Sequence, residues 1–468
     1  MISPEEEQMM LKRKIDAVLQ KWKSGNPETA LCIFGARQIG KTTSVEMFGK
    51  QNYSRMIKID FIQSPKAKTI FESGLDPDQI LREIELFAGT TILGGDTLLL
   101  LDEIQEFLAA RTAVKYLVQS GKVHIVETGS LLGTRLSASS DQHESLPVGF
   151  EEPVNMYPLD FEEFMWAMGI PDSSIDQIQK HFEEKKPVPP FTHEQLLLLF
   201  RTWMVVGGMP QAVAEYVRTK SVQKCLPIQK RIWELYRQDV LKYAARPEVP
   251  RILDLFESVP SQLNSQSLRF ILSKASGKPK ARFSEYESSL AWLTQAGIVL
   301  PCLNTSEPKF PLRLNEKRRL FRLYTLDTGL LCSQFESIAL PILQQDPSLN
   351  WGAFLENAAA QSLTSNGFRL YYYSAKNMGE LDFVIESGLD VIAVEMKSGK
   401  DYHKHPSLNS ALAQENWQIS LGIVFCSGNV ETDGRITYYP WYMLYLLQKP
   451  QPSGEEPVFN LEAFDFSE

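Results

Sequence analysis

Residues Gly35-Ala36-Arg37-Gln38-Ile39-Gly40-Lys41-Thr42 fit the pattern GxxxxGK[ST] at every position, with Thr43 next in line. These residue types at this spacing do one thing well: they wrap a string of phosphates. The glycines allow backbone geometry that a side chain would block, so successive amides can turn toward an anion. Lys41 would reach the β- and γ-phosphates of ATP, and the Thr42 hydroxyl would coordinate Mg²⁺. Further along, Leu98-Leu99-Leu100-Leu101-Asp102-Glu103 is an apolar run that ends in two acids. Asp102 would hold the same Mg²⁺ through water, and Glu103 would polarise the attacking water. Such a run arises often by chance; following a phosphate loop, it reads as a Walker B strand.

A second polar set lies in the last quarter of the chain. Glu356 falls in a helical pattern, Asp382 opens the strand pattern GELDFVIE, and Glu395-Met396-Lys397 lies in VIAVEMKSG. Strand alternation puts Glu395 and Lys397 on one face and Met396 on the other. Asp382 and Glu395 on neighbouring strands would hold one or two Mg²⁺ ions, and Lys397 would stabilise a hydroxide or a developing phosphorane charge. The arrangement E…D…ExK resembles the PD-(D/E)xK nuclease fold, and that resemblance implies Glu356 as the helix acid among the metal ligands. Three readings stay open here: an active nuclease, a binding domain that keeps the fold without its metal, and neither of these. His403 and His405 in KDYHKH read as surface residues.

These residues need scaffolds, and the chain divides into four regions plus a tail. Residues 1–160 alternate apolar runs (ALCIFGA, RMIKIDF, TLLLLDE, VHIVETG) with helical patterns. Short apolar strands separated by helices predict a parallel sheet covered on both faces. Residues 161–245 read as a helical lid, split by the charged, proline-rich EEKKPVPPFT. Residues 246–340 hold three short helical patterns and two strand-like runs, IVLPCL and RLFRLYTLD, which together predict a winged helix. Residues 341–449 open with a helix and continue as strands, and the acidic, proline-rich 450–468 reads as a partly disordered tail. The fold class expected is therefore α/β: a P-loop NTPase sheet, a helical lid, a winged-helix domain and a restriction-endonuclease-like α/β domain.

Composition excludes some classes. A hydrophobic share of 43% with 22% charged residues is ordinary for a soluble globular protein. No apolar run approaches the ~18 residues that span a bilayer, and the first twenty residues lack the apolar core of a signal peptide. Five scattered cysteines, never paired as CxxC, argue against a disulfide framework or zinc site and fit a reduced, cytoplasmic protein. The net charge of −9 offers no general invitation to nucleic acid. Residues 246–330, however, carry 13 Lys/Arg against 8 Asp/Glu, a local balance of +5 that would suit a phosphate backbone.

The phosphate loop, LLLLDEIQ, the TGS strand end and MYPLDFEEFM (156–165) occur in order. With VVGGMPQAV, LYRQDVLKYA, LYTLDTGLL and WGAFLENAAA further on, the chain resembles prokaryotic AAA-type ATPases that carry an uncharacterised C-terminal domain. The resemblance runs over roughly residues 30–440. It implies that Thr128 and Ser130 end a sensor-1 strand touching the γ-phosphate or lytic water; a plain strand-to-helix cap is the alternative. Arg135 is the candidate arginine finger. Relatives often carry a basic residue after the glycine before PLDFEEF, whereas Phe150 follows Gly149 here.

Two functions follow. One is an ATPase that couples turnover to a nuclease-like domain on double-stranded DNA, with Lys317, Arg318 and Arg319 on phosphates. FSEYESSLAWL would make a poor base-reading helix, since Glu285 and Glu287 lie among its exposed positions. The other is a nucleotide-dependent switch whose C-terminal domains bind protein partners or assemble a homo-oligomer. A membrane role finds no supporting segment.

Overall fold

The computed structural model describes residues 11–450 apart from 26, 73, 131–148, 264–268, 347–350 and 377. The apolar runs of the first region become parallel strands: β1 (Ala30–Phe34), β2 (Arg55–Asp60), β3 (Thr97–Asp102) and β4 (His124–Gly129). A fifth, β5 (Glu151–Asn155), completes the order β2-β3-β4-β1-β5. β1 and β3 are buried along their whole length because helices cover both faces of the sheet. The helices Pro77–Ala88 and Leu108–Ser120 cover one face, and Lys14–Ser24 and Lys41–Asn52 the other. Sequence reading missed β5, whose EEPVN is mostly exposed and contains a proline; only a sheet edge tolerates that composition.

Register decides where chemistry can occur. Ile33 lies beside Thr128, Phe34 beside Gly129 and Leu101 beside Glu127. The carboxyl ends of β1, β4 and β3 therefore finish level, and the phosphate loop, Thr128 and Asp102 emerge at one edge.

Five helices follow: Phe161–Ala167, Asp172–Glu183, Pro190–Val206, Pro210–Thr219 and the long Val222–Tyr243. After the helix Val249–Leu263, shorter helical pieces lead into a hairpin, β6 (Val299–Thr305) and β7 (Glu316–Thr325). A winged helix would leave this ribbon free. Instead β6 pairs with β8 (Tyr371–Ala375) through Leu303 and Asn304, and the hairpin becomes the flank of an eight-stranded sheet. The remaining strands are β9 (Gly379–Ser387), β10 (Asp390–Met396), β11 (Ile419–Cys426), β12 (Glu431–Asp433) and β13 (Ile436–Pro440), in the order β12-β13-β11-β10-β9-β8-β6-β7. The reason is in the side chains: the last five residues of β7 are all buried, which a solvated wing would not permit. The regions read as 246–340 and 341–449 thus share one sheet. The helix Gly352–Ser365 packs on one of its faces and Pro406–Leu412 on the other.

The turn between the helices Pro190–Val206 and Pro210–Thr219, the end of the hairpin and the helix Gly352–Ser365 meet at a buried node. The Asp327 carboxylate accepts from the Gly208 amide (2.6 Å), the Leu330 amide (3.0 Å) and Gln361 Nε2 (3.3 Å). Gly208 in turn accepts from the Leu159 amide at 2.7 Å. Asn357 accepts from the Thr325 amide at 2.8 Å, and Gln361 Oε1 from the Thr328 amide at 2.9 Å. The segments PLDF, GGMP, LDTG and ENAA are therefore four sides of one contact. A Cβ on Gly208 would stand 2.1 Å from the Leu159 carbonyl oxygen, closer than any packing allows. Gly208→Ala is expected to lower stability by about 3 kcal/mol or to block folding. Gly94→Ala, where a Cβ meets nothing within 4 Å, is the control. Urea denaturation checks both; equal midpoints would refute the role given to this node.

Candidate functional site

The helix Lys41–Asn52 starts on the last residues of the loop motif, and its N-cap is Gly40, with φ 95° and no side-chain cap. The first-turn amides are left to meet an anion, as at a phosphate site. Inside the loop the Lys41 ammonium donates to the carbonyls of Gly35 (3.0 Å) and Ala36 (2.8 Å). Burial pushes Lys41 down to about 8, against the opposing pull of Glu103 and Asp102. Ala36 and Ile39 are buried, while Gln38 and Thr43 face outward. Gln38 and Glu103 both take left-handed backbone, at φ 67° and 54°. Non-glycine residues held there cluster at functional sites.

Asp102 is gripped from three directions. Thr42 Oγ1 donates to Asp102 Oδ1 at 2.9 Å, the Thr128 hydroxyl donates to the same oxygen, and Lys58 Nζ pairs with Oδ2 at 3.1 Å. Lys58 also pairs with Glu46 at 2.9 Å. Glu103 accepts from the Gln105 side-chain amide. This donor set fits Mg²⁺: a hydroxyl and a carboxylate touch each other beside the phosphate loop, and a second acid stands next to them. Thr128 lies on the Walker B carboxylate, whereas Ser130 lines a narrow cavity with Arg37, Asp239, Trp292 and Ile298. Arg135 falls outside the described residues.

Several partners come from segments to which sequence reading assigned no role. Arg37 Nη1 pairs with Asp239 and its Nη2 donates to the Tyr243 hydroxyl, both at 2.6 Å. Tyr236 donates to the Arg37 carbonyl at 2.8 Å, and Gln211 donates to Gln38 at 2.9 Å. Buried Arg13 donates to the Ile39 carbonyl (2.8 Å) and pairs with Glu163 (3.0 Å). A cleft of about 130 Å³ opens beside it, lined by Val18, Val154, Met156 and Tyr157. Tyr236, Asp239 and Tyr243 lie in LYRQDVLKYA, Gln211 in VVGGMPQAV and Glu163 in MYPLDFEEFM, segments that carried the resemblance but no role, and Lys58 is a cation within the strand run MIKID.

The C-terminal polar set also converges. Glu395 stands opposite Asp382 across the antiparallel β9–β10 pair, one step beyond Val394 and Phe383. Lys397 Nζ pairs with Glu395 Oε2 at 3.0 Å, and the Met396 amide donates to Asp382 Oδ2 at 2.8 Å. Burial pushes Glu356 and Glu395 up to about 8 and raises Asp382 as well, although Arg322 and Lys397 oppose this. Among the described residues, three metal-type ligand atoms lie within 4.8 Å of one another only at Cys32, Glu127 and Glu151, far from this set in sequence. There Arg111 already binds both oxygens of Glu151, at 2.8 and 2.6 Å. His405 corrects its expected surface position: it is buried, with Nε2 2.6 Å from the Tyr438 hydroxyl, because it leads the helix packed on that strand. All five cysteines are free and buried. No helix among the described residues is long and apolar enough to cross a membrane.

Residues 27–165 match the family model described as AAA domain. This module is an AAA-type P-loop ATPase domain. Family and geometry together support ATP binding and hydrolysis, with Mg²⁺ the usual companion of the nucleotide. Residues 197–340 and 351–444 match two further models, each described as a domain of unknown function (DUF8612 and DUF4143). The Walker-type ATPase PABY2304 of Pyrococcus abyssi is 15% identical over 71% of this chain and 97% of its own, with a TM-score of 0.42. RuvB of Thermotoga maritima is 14% identical over 66% and 91%, with a TM-score of 0.29. No curated protein matches the sequence.

Two substitutions separate binding from turnover. Lys41→Ala is expected to abolish both, with hydrolysis falling on the order of 10²-fold or more. Glu103→Gln should keep ATP binding and lose roughly 10²–10⁴ in turnover. Calorimetric titration and phosphate release check these; full hydrolysis by Lys41→Ala would remove the site.

Proposed function

We propose that the chain is an ATP-driven conformational switch, in which turnover at the phosphate loop moves the lid and the lid carries the C-terminal sheet. The observation that carries this reading is the Arg37 tether. Arg37 belongs to the phosphate loop, yet its guanidinium is bonded to Asp239 and Tyr243 of the long lid helix. A loop that closes around phosphates pulls on that helix. The lid is bolted to the sheet beyond it: Asp327 holds Gly208, Val188 and Asn429 exchange two hydrogen bonds (2.8 and 2.7 Å), and His193 meets the Tyr442 hydroxyl at 3.0 Å.

The chemistry is phosphoryl transfer to water. Thr42 and Asp102 would hold Mg²⁺, which would supply positive charge to the phosphates during the transfer. Lys41 neutralises the phosphates, leaving its loop carbonyls to do so. Glu103 orients the attacking water and accepts its proton as the γ-phosphoryl group leaves ADP. Thr128 and Lys58 hold the Asp102 carboxylate in place.

A second reading, an ATP-coupled enzyme acting on double-stranded DNA, draws on the exposed Lys317, Arg318 and Arg319 of β7 and on the convergence of Glu356, Asp382 and Glu395. Salt-dependent binding of duplex DNA and Mg²⁺- or Mn²⁺-dependent cleavage lost in Asp382→Ala would favour it. A change in assembly size with nucleotide, without DNA affinity, would favour the switch and a homo-oligomer.

Asp239→Ala combined with Tyr243→Phe cuts the Arg37 side-chain tether while leaving the phosphate loop intact. We expect its ATP hydrolysis to stay within a few-fold of wild type. Hydrogen exchange across 222–243 and 352–365 should then no longer differ between ATP and ADP states. A nucleotide-dependent difference as large as in wild type would overturn the proposed route.

A further inference from the structure

We infer that the C-terminal carboxylate cluster is an ion-pair latch filled by the chain's own Arg322, with Lys397 at its rim, and is not a divalent-metal centre. The inference bears on the second reading above and stands apart from the ATP chemistry.

Arg322 is the point of departure. It comes from β7, in the hairpin that sequence reading assigned to a separate domain, and its side chain is wholly buried. Its guanidinium lies over the Tyr372 ring at 4.3 Å, Nη1 is 3.4 Å from Glu356 Oε2 and 3.3 Å from the Asp382 carbonyl oxygen, and Nη2 touches the Glu380 carboxylate. A buried guanidinium is always charged, so it brings one fixed positive charge to the spot where the nuclease pattern calls for a cation.

Each carboxylate has one oxygen engaged by the chain itself. Glu356 Oε2 also accepts from the Tyr324 hydroxyl at 3.0 Å. Asp382 Oδ2 accepts from the Met396 amide, and Glu395 Oε2 is paired with Lys397. Glu395 Oε1 and Arg322 Nε are buried without hydrogen-bond partners. Hard divalent ions want several charged or carbonyl oxygens converging on one point, and a neighbouring guanidinium repels them. The residues present do not fit the metal.

What the latch does follows from where its halves come from. Arg322 is on the hairpin; Glu356, Asp382 and Glu380 are on the helix Gly352–Ser365 and on β9. Direct backbone pairing of β6 to β8 is only two residues long. The buried ion pairs therefore fix the register of a short seam, a job at which charged groups are specific even where they add little net stability.

The test uses full-length protein without nucleotide. Mn²⁺ binding is followed by electron paramagnetic resonance, and melting is measured with Mn²⁺ or with EDTA, for wild type, Asp382→Asn, Arg322→Met and Arg322→Lys. We expect wild type and Asp382→Asn to take up the same amount of Mn²⁺, and the wild-type melting temperature to be equal in Mn²⁺ and EDTA. Arg322→Met should melt roughly 5–10 °C lower, with Arg322→Lys between the two. If Arg322→Met does not fold, the comparison of wild type with Asp382→Asn decides alone. A Mn²⁺ ion held by wild type and lost in Asp382→Asn would overturn the inference, as would Arg322→Met melting like wild type.

Discussion

The Asp327 carboxylate is fully buried, and burial pushes it up to about 6 while the amides of Gly208 and Leu330 and the Gln361 side chain pull it down. Such a group is tolerated only with its donors in place, since an ionised carboxylate without partners in an apolar interior is very costly. Those donors come from the lid, from the turn after β7 and from the C-terminal helix. Gly207 and Gly329 lie against this spot too: a Cβ on either would fall within 2.6 Å of a neighbouring atom. Everything downstream of the ATPase sheet is hung on this junction.

The same economy recurs at other seams. Arg13 with Glu163 ties the first helix to the lid, Arg111 with Glu151 ties a sheet-covering helix to β5, and Arg322 with Glu356 ties the hairpin to the last domain. Each pairs an arginine with an acid distant in sequence, and each is largely withdrawn from water. Apolar packing supplies most of the cohesion of such interfaces; a buried fork of donors selects a single way of closing them.

Legibility followed locality. The phosphate loop and Asp102-Glu103 were readable because a strand, a turn and a helix N-terminus lie side by side along the chain. The helices between 161 and 243 were readable from their periodicity. What failed was long-range. Nothing local tells a solvated ribbon from a sheet flank, so the hairpin was assigned to the wrong neighbour. β5 has no apolar run, and His405 is buried by a strand far along the chain. Arg37 was read as part of the phosphate loop, but its partners Asp239 and Tyr243 are some two hundred residues away. The segments GGMP, LDTG and ENAA resembled a family without revealing why; the reason is that they touch.

The seam between β6 and β8 has a consequence for how this chain can be divided. A fragment ending near residue 340 would keep β6 and β7 but bare the β6 edge, and it would leave Asp327 without Gln361 and Arg322 without Glu356. An open strand edge beside an unpaired buried charge invites association with whatever is nearest. The two regions that match separate models, 197–340 and 351–444, are thus one structural unit: an exchange between them must preserve both sides of this seam at once.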